Sequence, residues 1–286
     1  MHLLLRPGHA PWRIAEIRGE VPSHFVDFEN AEEVQKTIGA IKPDWIFHLA
    51  AYGAYSSQAD LSQMVRTNIV GTMNLVNAGL AAGIEAFVNA GSSSEYGFKD
   101  HAPPETEYLE PNSHYAVTKA SATMFCTYTA RTRDVLIPTL RLYSVYGPYE
   151  EPTRLIPKLI RLGLDGKLPP LVNPKIARDY VHAEDVNDAF LLAASTRGPD
   201  LGAVYNVGTG IQTSLEDLVG IVRRLLAITE EPQWGSMPAR IWDTSCWVCE
   251  NARIERDLGW SPRIPLEEGL RQTIEWMRTR REFYPV

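Results

Sequence analysis

The segment that most constrains the fold is Trp45-Ile46-Phe47-His48-Leu49-Ala50-Ala51, a continuous apolar run of strand length. It lacks the alternation of a half-buried strand, so it fits a strand covered on both faces of a parallel sheet. The same texture recurs at Ala86-Phe87-Val88-Asn89-Ala90 and at Ala203-Val204-Tyr205-Asn206-Val207. Stretches of helical spacing separate these runs. Residues 30–41 carry Val34, Ile38 and Ile41 on one face and stop before Pro43. Residues 61–82, 114–130, 183–194 and 266–280 read as further helices. Residues 214–226 read as a capped one, with Ser214 at the start, Glu216 and Asp217 in the first turn, and Arg223 and Arg224 near the end. Short strands are expected at 2–5, 23–28 and 135–142, the last weakened by Pro138. Helices alternating with short apolar strands indicate a doubly wound α/β layer with a parallel sheet.

Prolines multiply after Pro148. A smaller lobe is therefore expected from residues 149–177 and 208–286, beside a main domain of 1–148 and 178–207. The chain has 286 residues, long enough to bury a core without staples. Its net charge of −7, from 28 basic and 35 acidic residues, argues against a dedicated nucleic-acid binder. No run approaches the roughly 20 apolar residues of a membrane span. The opening MHLLLRPGHAPWR lacks the cleavage site of a secretory signal. Cys126, Cys246 and Cys249 make an odd count, which suits a reduced, cytoplasmic protein. Cys246 and Cys249 have CxxC spacing without a second pair, so packing is preferred to zinc binding and no metal is assigned.

Chemistry concentrates in two places. Tyr115 and Lys119 stand four residues apart, on one face of an expected helix. An ammonium beside a phenol favours the phenolate, which makes the tyrosine an acid/base near neutral pH. Directly after the strand at 86–90 comes Gly91-Ser92-Ser93-Ser94-Glu95-Tyr96-Gly97. Ligands of parallel α/β proteins bind at such strand ends, where hydroxyls can reach a substrate oxygen. The alternative for this segment is an ordinary serine-rich turn.

Seven motifs in order now carry a resemblance: Ile46-Phe47-His48-Leu49-Ala50-Ala51, Asn68-Ile69-Val70-Gly71-Thr72, Ser92 through Gly97, Tyr115 with Lys119, Arg141 through Pro148, Arg178 through Val186, and Tyr205-Asn206-Val207-Gly208. The chain resembles an extended short-chain dehydrogenase/reductase of the NAD-dependent epimerase/dehydratase family, over nearly its whole length. The resemblance implies a Rossmann-type fold and a nucleotide-sugar substrate. It implies that Tyr115 is the acid/base, that Lys119 tunes it and holds the nicotinamide ribose, and that a serine shares a hydrogen bond with the reacting oxygen. That serine is Ser92 when counted from Phe87 and Ser93 when aligned on Glu95; Ser92 is preferred. Asn68 would support the site, and Leu49, Ala50, Ala51 and Leu142 would line the cofactor. Asp27 and Phe28 resemble the pair that meets adenine, with a simple turn carboxylate as the alternative for Asp27. Arg178 would grip the substrate diphosphate, or else pair with Asp179; a guanidinium suits phosphate geometry. Tyr143, Ser144 and Arg154 fall at substrate-lining positions, although Tyr143-Ser144 replaces the family's frequent aromatic-asparagine pair. The resemblance further implies a homodimer through a four-helix interface built from residues 61–82 and 114–130.

Two departures stand out. The family's opening strand and GxxGxxG turn, which bring backbone close to the cofactor pyrophosphate, have no counterpart. Residues 2–5 match the family's second strand, so about one βα unit is missing and an apolar slot is expected in the sheet. Three explanations compete: a start set too late, which is preferred; a member that binds no dinucleotide; or a strand supplied by a partner subunit. Arg6, with His9 and Arg13 nearby, sits where an arginine can accept a 2′-phosphate, which leans the cofactor from NAD toward NADP. The second departure is Ser93-Ser94, where 4,6-dehydratases carry Asp-Glu. An epimerase or 4-ketoreductase is therefore expected over a dehydratase, unless Glu95 is a displaced carboxylate.

Overall fold

The computed structural model describes residues 1–8, 12–55, 57–238 and 244–284, so His9 lies outside the described residues. Its strands are β1 (Leu3–Leu5), β2 (Ser23–Phe25), β3 (Trp45–His48), β4 (Ala86–Ser92), β5 (Thr139–Leu142), β6 (Ser144–Tyr146), β7 (Ala177–His182), β8 (Val204–Val207) and β9 (Gln212–Ser214). Its helices are α1 (Ala31–Ile41), α2 (Leu61–Val65), α3 (Gly71–Ala82), α4 (His114–Arg133), α5 (Leu155–Gly163), α6 (Ala183–Ser195), α7 (Leu215–Leu226), α8 (Ala252–Leu258) and α9 (Leu266–Thr279). No described helix is long and apolar enough to cross a membrane.

Two compact units result. One comprises Met1–Gly97, Glu107–Arg141 and Phe190–Tyr205; the other comprises Phe98–Thr106, Leu142–Ala189 and Asn206–Val286. Residues 142–148 and 178–189 thus pack with the second unit, whereas the expected division placed them with the cofactor domain.

In the first unit β1 pairs in parallel with β2, and β3 in parallel with β4. The sheet containing β3 runs in the order β3-β4-β5-β8, and the β1-β2 pair is separate from it. Among the described residues no strand joins β1 to β3. The break falls where the slot was expected. The expected cover on both faces is corrected: β3 is covered on one face only, with Ile46 and His48 buried and Trp45 and Phe47 exposed. Side chains of a strand alternate between its faces, so Trp45 and Phe47 share the face opposite the one Ile46 gives to the core, and there the Phe47 ring stands 6.3 Å between centroids from both the Trp45 and the Phe190 rings. β4, by contrast, is buried at every position. The strand expected at 135–142 begins only at Thr139. Pro138 has no N–H to give to a ladder, although its carbonyl accepts the Asn89 N–H at 2.9 Å.

Val34 and Ile38 of α1 meet Val26, Ile46, Leu75, Val76, Ile84 and Phe87 in the core, with Leu4 and Phe28 packed against it. The Asn30 side chain caps α1 by accepting the Glu33 N–H at 3.2 Å. The single helix expected at 61–82 is broken by a π-helical turn, Arg66–Val70. Such turns insert a residue and re-aim a side chain. The side chain re-aimed is Asn68, 1% exposed, whose Oδ1 accepts the Tyr52 N–H at 2.8 Å and whose Nδ2 donates to the Tyr52 carbonyl at 2.8 Å. One turn on, Thr72 donates its hydroxyl to the Asn68 carbonyl at 2.7 Å. Having spent its proton, Thr72 Oγ1 accepts from His48 Nε2 at 2.9 Å, which assigns the Nε2–H tautomer to His48.

In the second unit β6 and β7 are parallel and β7 and β9 antiparallel. Helices α5, α7 and α9 pack together there, burying Ile160, Leu218, Val222, Leu270 and Ile274. Ser214 accepts the Asp217 N–H at 3.0 Å as the α7 cap.

His48 gives the fold a pH dependence. Burial, with a smaller contribution from the Lys119 charge, pushes the imidazole down from 6.5 to about 3. Below 6.5 the unfolded chain takes a proton that the folded chain refuses, so stability falls as pH falls toward 3 and is constant above 6.5. At pH 5 the loss is about 2 kcal/mol. Urea unfolding of the wild type and His48→Gln across this range checks it: the substitution is expected to flatten the slope, and an unchanged slope refutes the assignment.

Candidate active site

The site in the first unit is built where β4 ends. Ser92 closes the strand and caps the short 3-10 turn Ser93–Tyr96. Its Oγ accepts the Ser94 N–H at 3.2 Å, while its own N–H donates to Glu95 Oε1 at 2.8 Å. This reciprocal arrangement is a capping box, and its S-x-x-E spelling stands in the sequence as Ser92-Ser-Ser-Glu95. The Ser92 hydroxyl proton donates to no protein acceptor among the described residues and is free for a ligand oxygen. Ser93 is buried beside it.

Helix α4 begins at a Ser113 cap, whose side chain accepts the Ala116 N–H at 3.2 Å. Tyr115 therefore sits in a first turn held at its start, half-buried, with its carbonyl accepting from Thr118 Oγ1 at 2.9 Å. Thr118 Oγ1 in turn accepts from Asn68 Nδ2 at 2.9 Å. The π-turn asparagine thus reaches the helix turn that carries Tyr115. Lys119, one turn further, is only 3% exposed. Burial lowers its pKa, and the negative charge of Glu95 acts the other way. Cys126, two turns beyond, is pushed up to about 12 by burial. It is a neutral thiol at ordinary pH.

Glu95 is fully buried. Besides the Ser92 N–H, it accepts from Thr123 Oγ1 at 3.1 Å and from Arg141 Nε at 2.9 Å. Arg141 also donates to the Tyr96 hydroxyl at 2.8 Å and lies 4.5 Å over the Tyr96 ring. Three protein donors thus hold this carboxylate inside the fold, away from the position of an exposed catalytic acid. The Arg141 pairing was missed in the sequence because its partners lie 46 residues apart.

The other candidates of this unit are more exposed. Leu49 is 62% exposed after β3, Ala50 is half-buried and Ala51 exposed. Arg6 is exposed after β1. Asp27 Oδ1 accepts the Glu29 N–H at 3.0 Å, the geometry of a turn carboxylate. Phe28 is half-buried, its ring 6.2 Å from that of His48.

In the second unit Leu142 and Ser144 are half-buried and Tyr143 is buried, its N–H donating to the Val207 carbonyl at 3.0 Å. Arg154 lies at the start of α5 and pairs with Glu150 at 2.9 Å. Arg178 Nη1 donates to the Ala177 carbonyl at 2.7 Å, and its guanidinium lies 5.3 Å from the Trp247 ring. Asp179 instead accepts from the Thr209 N–H at 2.8 Å, the Thr209 hydroxyl at 2.6 Å, the Gly210 N–H at 2.9 Å and the Cys249 N–H at 3.1 Å. Cys249 is 3% exposed and packs against Gly208, where a Cβ would meet it at 2.6 Å. Asn206 donates to the carbonyls of Pro103 and Glu250 at 2.9 and 3.0 Å and takes Glu105 onto its N–H at 2.9 Å. Neither the Asp179 nor the Asn206 network is read from the sequence.

Comparison with known proteins gives the family of the chain. A dTDP-glucose 4,6-dehydratase of Streptomyces griseus is 31% identical over 96% of this chain and 83% of its own length. A UDP-glucose 4-epimerase of Mycolicibacterium smegmatis is 29% identical over 85% of this chain and 79% of its own. The crystal structure of a Thermus thermophilus UDP-glucose 4-epimerase in complex with NAD superposes with a TM-score of 0.81 at 26% identity, covering 91% of this chain and 86% of that one. The model of the NAD dependent epimerase/dehydratase family matches residues 5–208, and the chain belongs to that family.

Proposed function

We propose that the chain is an NAD-dependent epimerase or 4-ketoreductase of a nucleotide-activated sugar, acting through Ser92, Tyr115 and Lys119. The observation that carries this reading is the pairing of a half-buried Tyr115 with a buried Lys119 on α4, in the unit whose β4 ends in a free serine hydroxyl. Tyr115 as phenolate takes the proton of a sugar hydroxyl; Lys119 stabilises that phenolate with its ammonium. The Ser92 O–H donates to the same sugar oxygen, and in the opposite direction Tyr115 returns the proton. The dinucleotide, when bound, accepts and gives back the hydride.

In the first unit the residues fit the reactive end of a dinucleotide: Lys119 for the ribose hydroxyls, and Leu49, Ala50 and Ala51 as apolar lining; Leu142 is the candidate of the second unit. The diphosphate end finds less. The starts of α1 and α2 are closed by the Asn30 and Asp60 side chains, and the turn after β4 is closed by its capping box. The NAD-bound relative directs the cofactor reading to NAD; the NADP reading stands on the exposed Arg6. Arg178 is the candidate grip on the substrate diphosphate, and Tyr143, Ser144 and Arg154 are candidates for the sugar. Reductase or epimerase chemistry is favoured over dehydration because Ser93 and Ser94 carry no carboxyl and Glu95 is locked to Arg141. The three cysteines are free thiols, which suits the cytoplasm. A homodimer fits the apolar stripe of Val117, Met124 and Tyr128 on α4, 47%, 60% and 70% exposed, with Leu61, Val65 and Met73 exposed on α2 and α3.

Four measurements test this reading. Calorimetric titration with NADH and NADPH is expected to show micromolar binding of NADH; no binding of either removes the oxidoreductase assignment for the chain as it stands. Tyr115→Phe is expected to lower turnover of UDP-glucose or dTDP-glucose about a thousandfold with thermal unfolding unchanged, and retained turnover sinks the tyrosine's role. Product analysis decides the reaction, since a 4-keto-6-deoxy product means dehydration. For assembly, sedimentation is expected to give a dimer that Met124→Glu with Tyr128→Glu converts to a monomer; a wild-type monomer at the same concentration contradicts the interface.

A further inference from the structure

Glu95 joins three elements that the proton-transfer set depends on. Through the Ser92 N–H, at 2.8 Å, it fixes the end of β4. The Thr123 hydroxyl, at 3.1 Å, ties it to α4 one turn beyond Lys119. Its 2.9 Å bond to Arg141 Nε anchors both to β5. The backbone leaves room for this only because residue 91 is glycine: a Cβ there would stand 2.9 Å from Glu95 Oε1 and 2.7 Å from the Thr139 methyl. A carboxylate this deeply buried is costly unless its charge is compensated and its lone pairs are filled. Arg141 alone compensates it, yet a second cation, Lys119, is buried nearby at 3% exposure.

We propose that Glu95 is a positioning residue for the Ser92, Tyr115 and Lys119 set, locking the β4 terminus against α4 and presenting the buried negative charge that keeps Lys119 an ammonium. The inference rests on the functional reading above. Among the described residues, Glu95 from the turn after β4, Cys126 on α4 and His48 from β3 act electrostatically on Lys119, with Tyr115 one turn before it on α4 and Arg141 beyond Glu95 on β5. His48 and Cys126 are neutral at ordinary pH, for burial holds the imidazole down to about 3 and pushes the thiol up to about 12. Glu95 is then the negative charge that opposes the desolvation of Lys119. The tyrosine does not touch Glu95 in this scheme; it gains from it through the lysine.

The test is nuclear magnetic resonance of the ligand-free chain carrying carbon-13 lysine, with the Lys119 Cε signal assigned by Lys119→Arg. In the wild type this signal is expected to keep its ammonium position through neutral pH; a neutral Lys119 at pH 7 overturns the proposal. Glu95→Gln, which keeps shape and loses charge, is expected to lower the Lys119 midpoint by about one pH unit. Glu95→Asp, which keeps the charge and shortens the reach, is expected to leave the midpoint near its wild-type value. An unmoved midpoint in Glu95→Gln refutes the electrostatic role, and an equal fall in Glu95→Asp shows that only packing was disturbed, which also refutes it. Should Glu95→Gln fail to fold, the wild-type titration and Glu95→Asp still decide. None of these readouts needs turnover, so the failure of Tyr115 as acid/base, read from Tyr115→Phe, is distinguishable from the failure of Glu95 as its support.

Discussion

A buried carboxylate at the end of β4 is the constraint on which the first unit turns. β4 is covered on every side, so its last N–H groups cannot turn to water. The Ser92–Glu95 capping box satisfies them locally. The same carboxylate is then committed to Arg141, 4% exposed as a side chain, in an ion pair that water hardly reaches. Removing one partner from such a pair costs about 3–5 kcal/mol, because the other is left charged and unpaired. The serine-rich turn is therefore tied to the sheet it follows. In the proposed reading that tie matters for chemistry, since a proton donor misplaced by about 1 Å loses much of its advantage.

The second unit solves a similar problem with Asp179. There the orphan donors are the N–H groups of Thr209, Gly210 and Cys249, at the loop after β8 and at a distant segment. Burial raises the pKa of Asp179 and the four donors lower it. Its carboxylate is thereby spent on the Thr209 hydroxyl and on backbone, while the guanidinium of the neighbouring Arg178 donates to the Ala177 carbonyl and rests on the Trp247 face.

Much of this was legible in the sequence, and the failures share a cause. Apolar runs at 86–90 and 203–207 became strands, and Ser214 became a cap, because those signals are local. Tyr115 and Lys119 share a turn of α4, which four-residue spacing alone dictates. The run at 45–51 located β3 but misjudged its burial, because composition does not report how many neighbours a strand has. The helix at 61–82 was read as continuous, because the π-turn is stabilised by Tyr52 and Thr118, remote from it in the chain. Glu95 with Arg141 and Asp179 with Thr209 are equally non-local. The capping-box spelling at Ser92-x-x-Glu95 was the one local sign that the glutamate turns inward.

The inward turn of Glu95 also bears on reaction type. Eliminating water from a sugar needs a carboxyl group that can exchange protons with the substrate, hence one with an open face. In the GSSSEYG turn the available carboxyl is consumed by Ser92, Thr123 and Arg141. The proposed reading relies instead on a hydroxyl, a phenol and an ammonium, a set that moves one proton at one oxygen. Oxidation and reduction at a single carbinol ask for that much, which is why the proposed reading prefers them to dehydration.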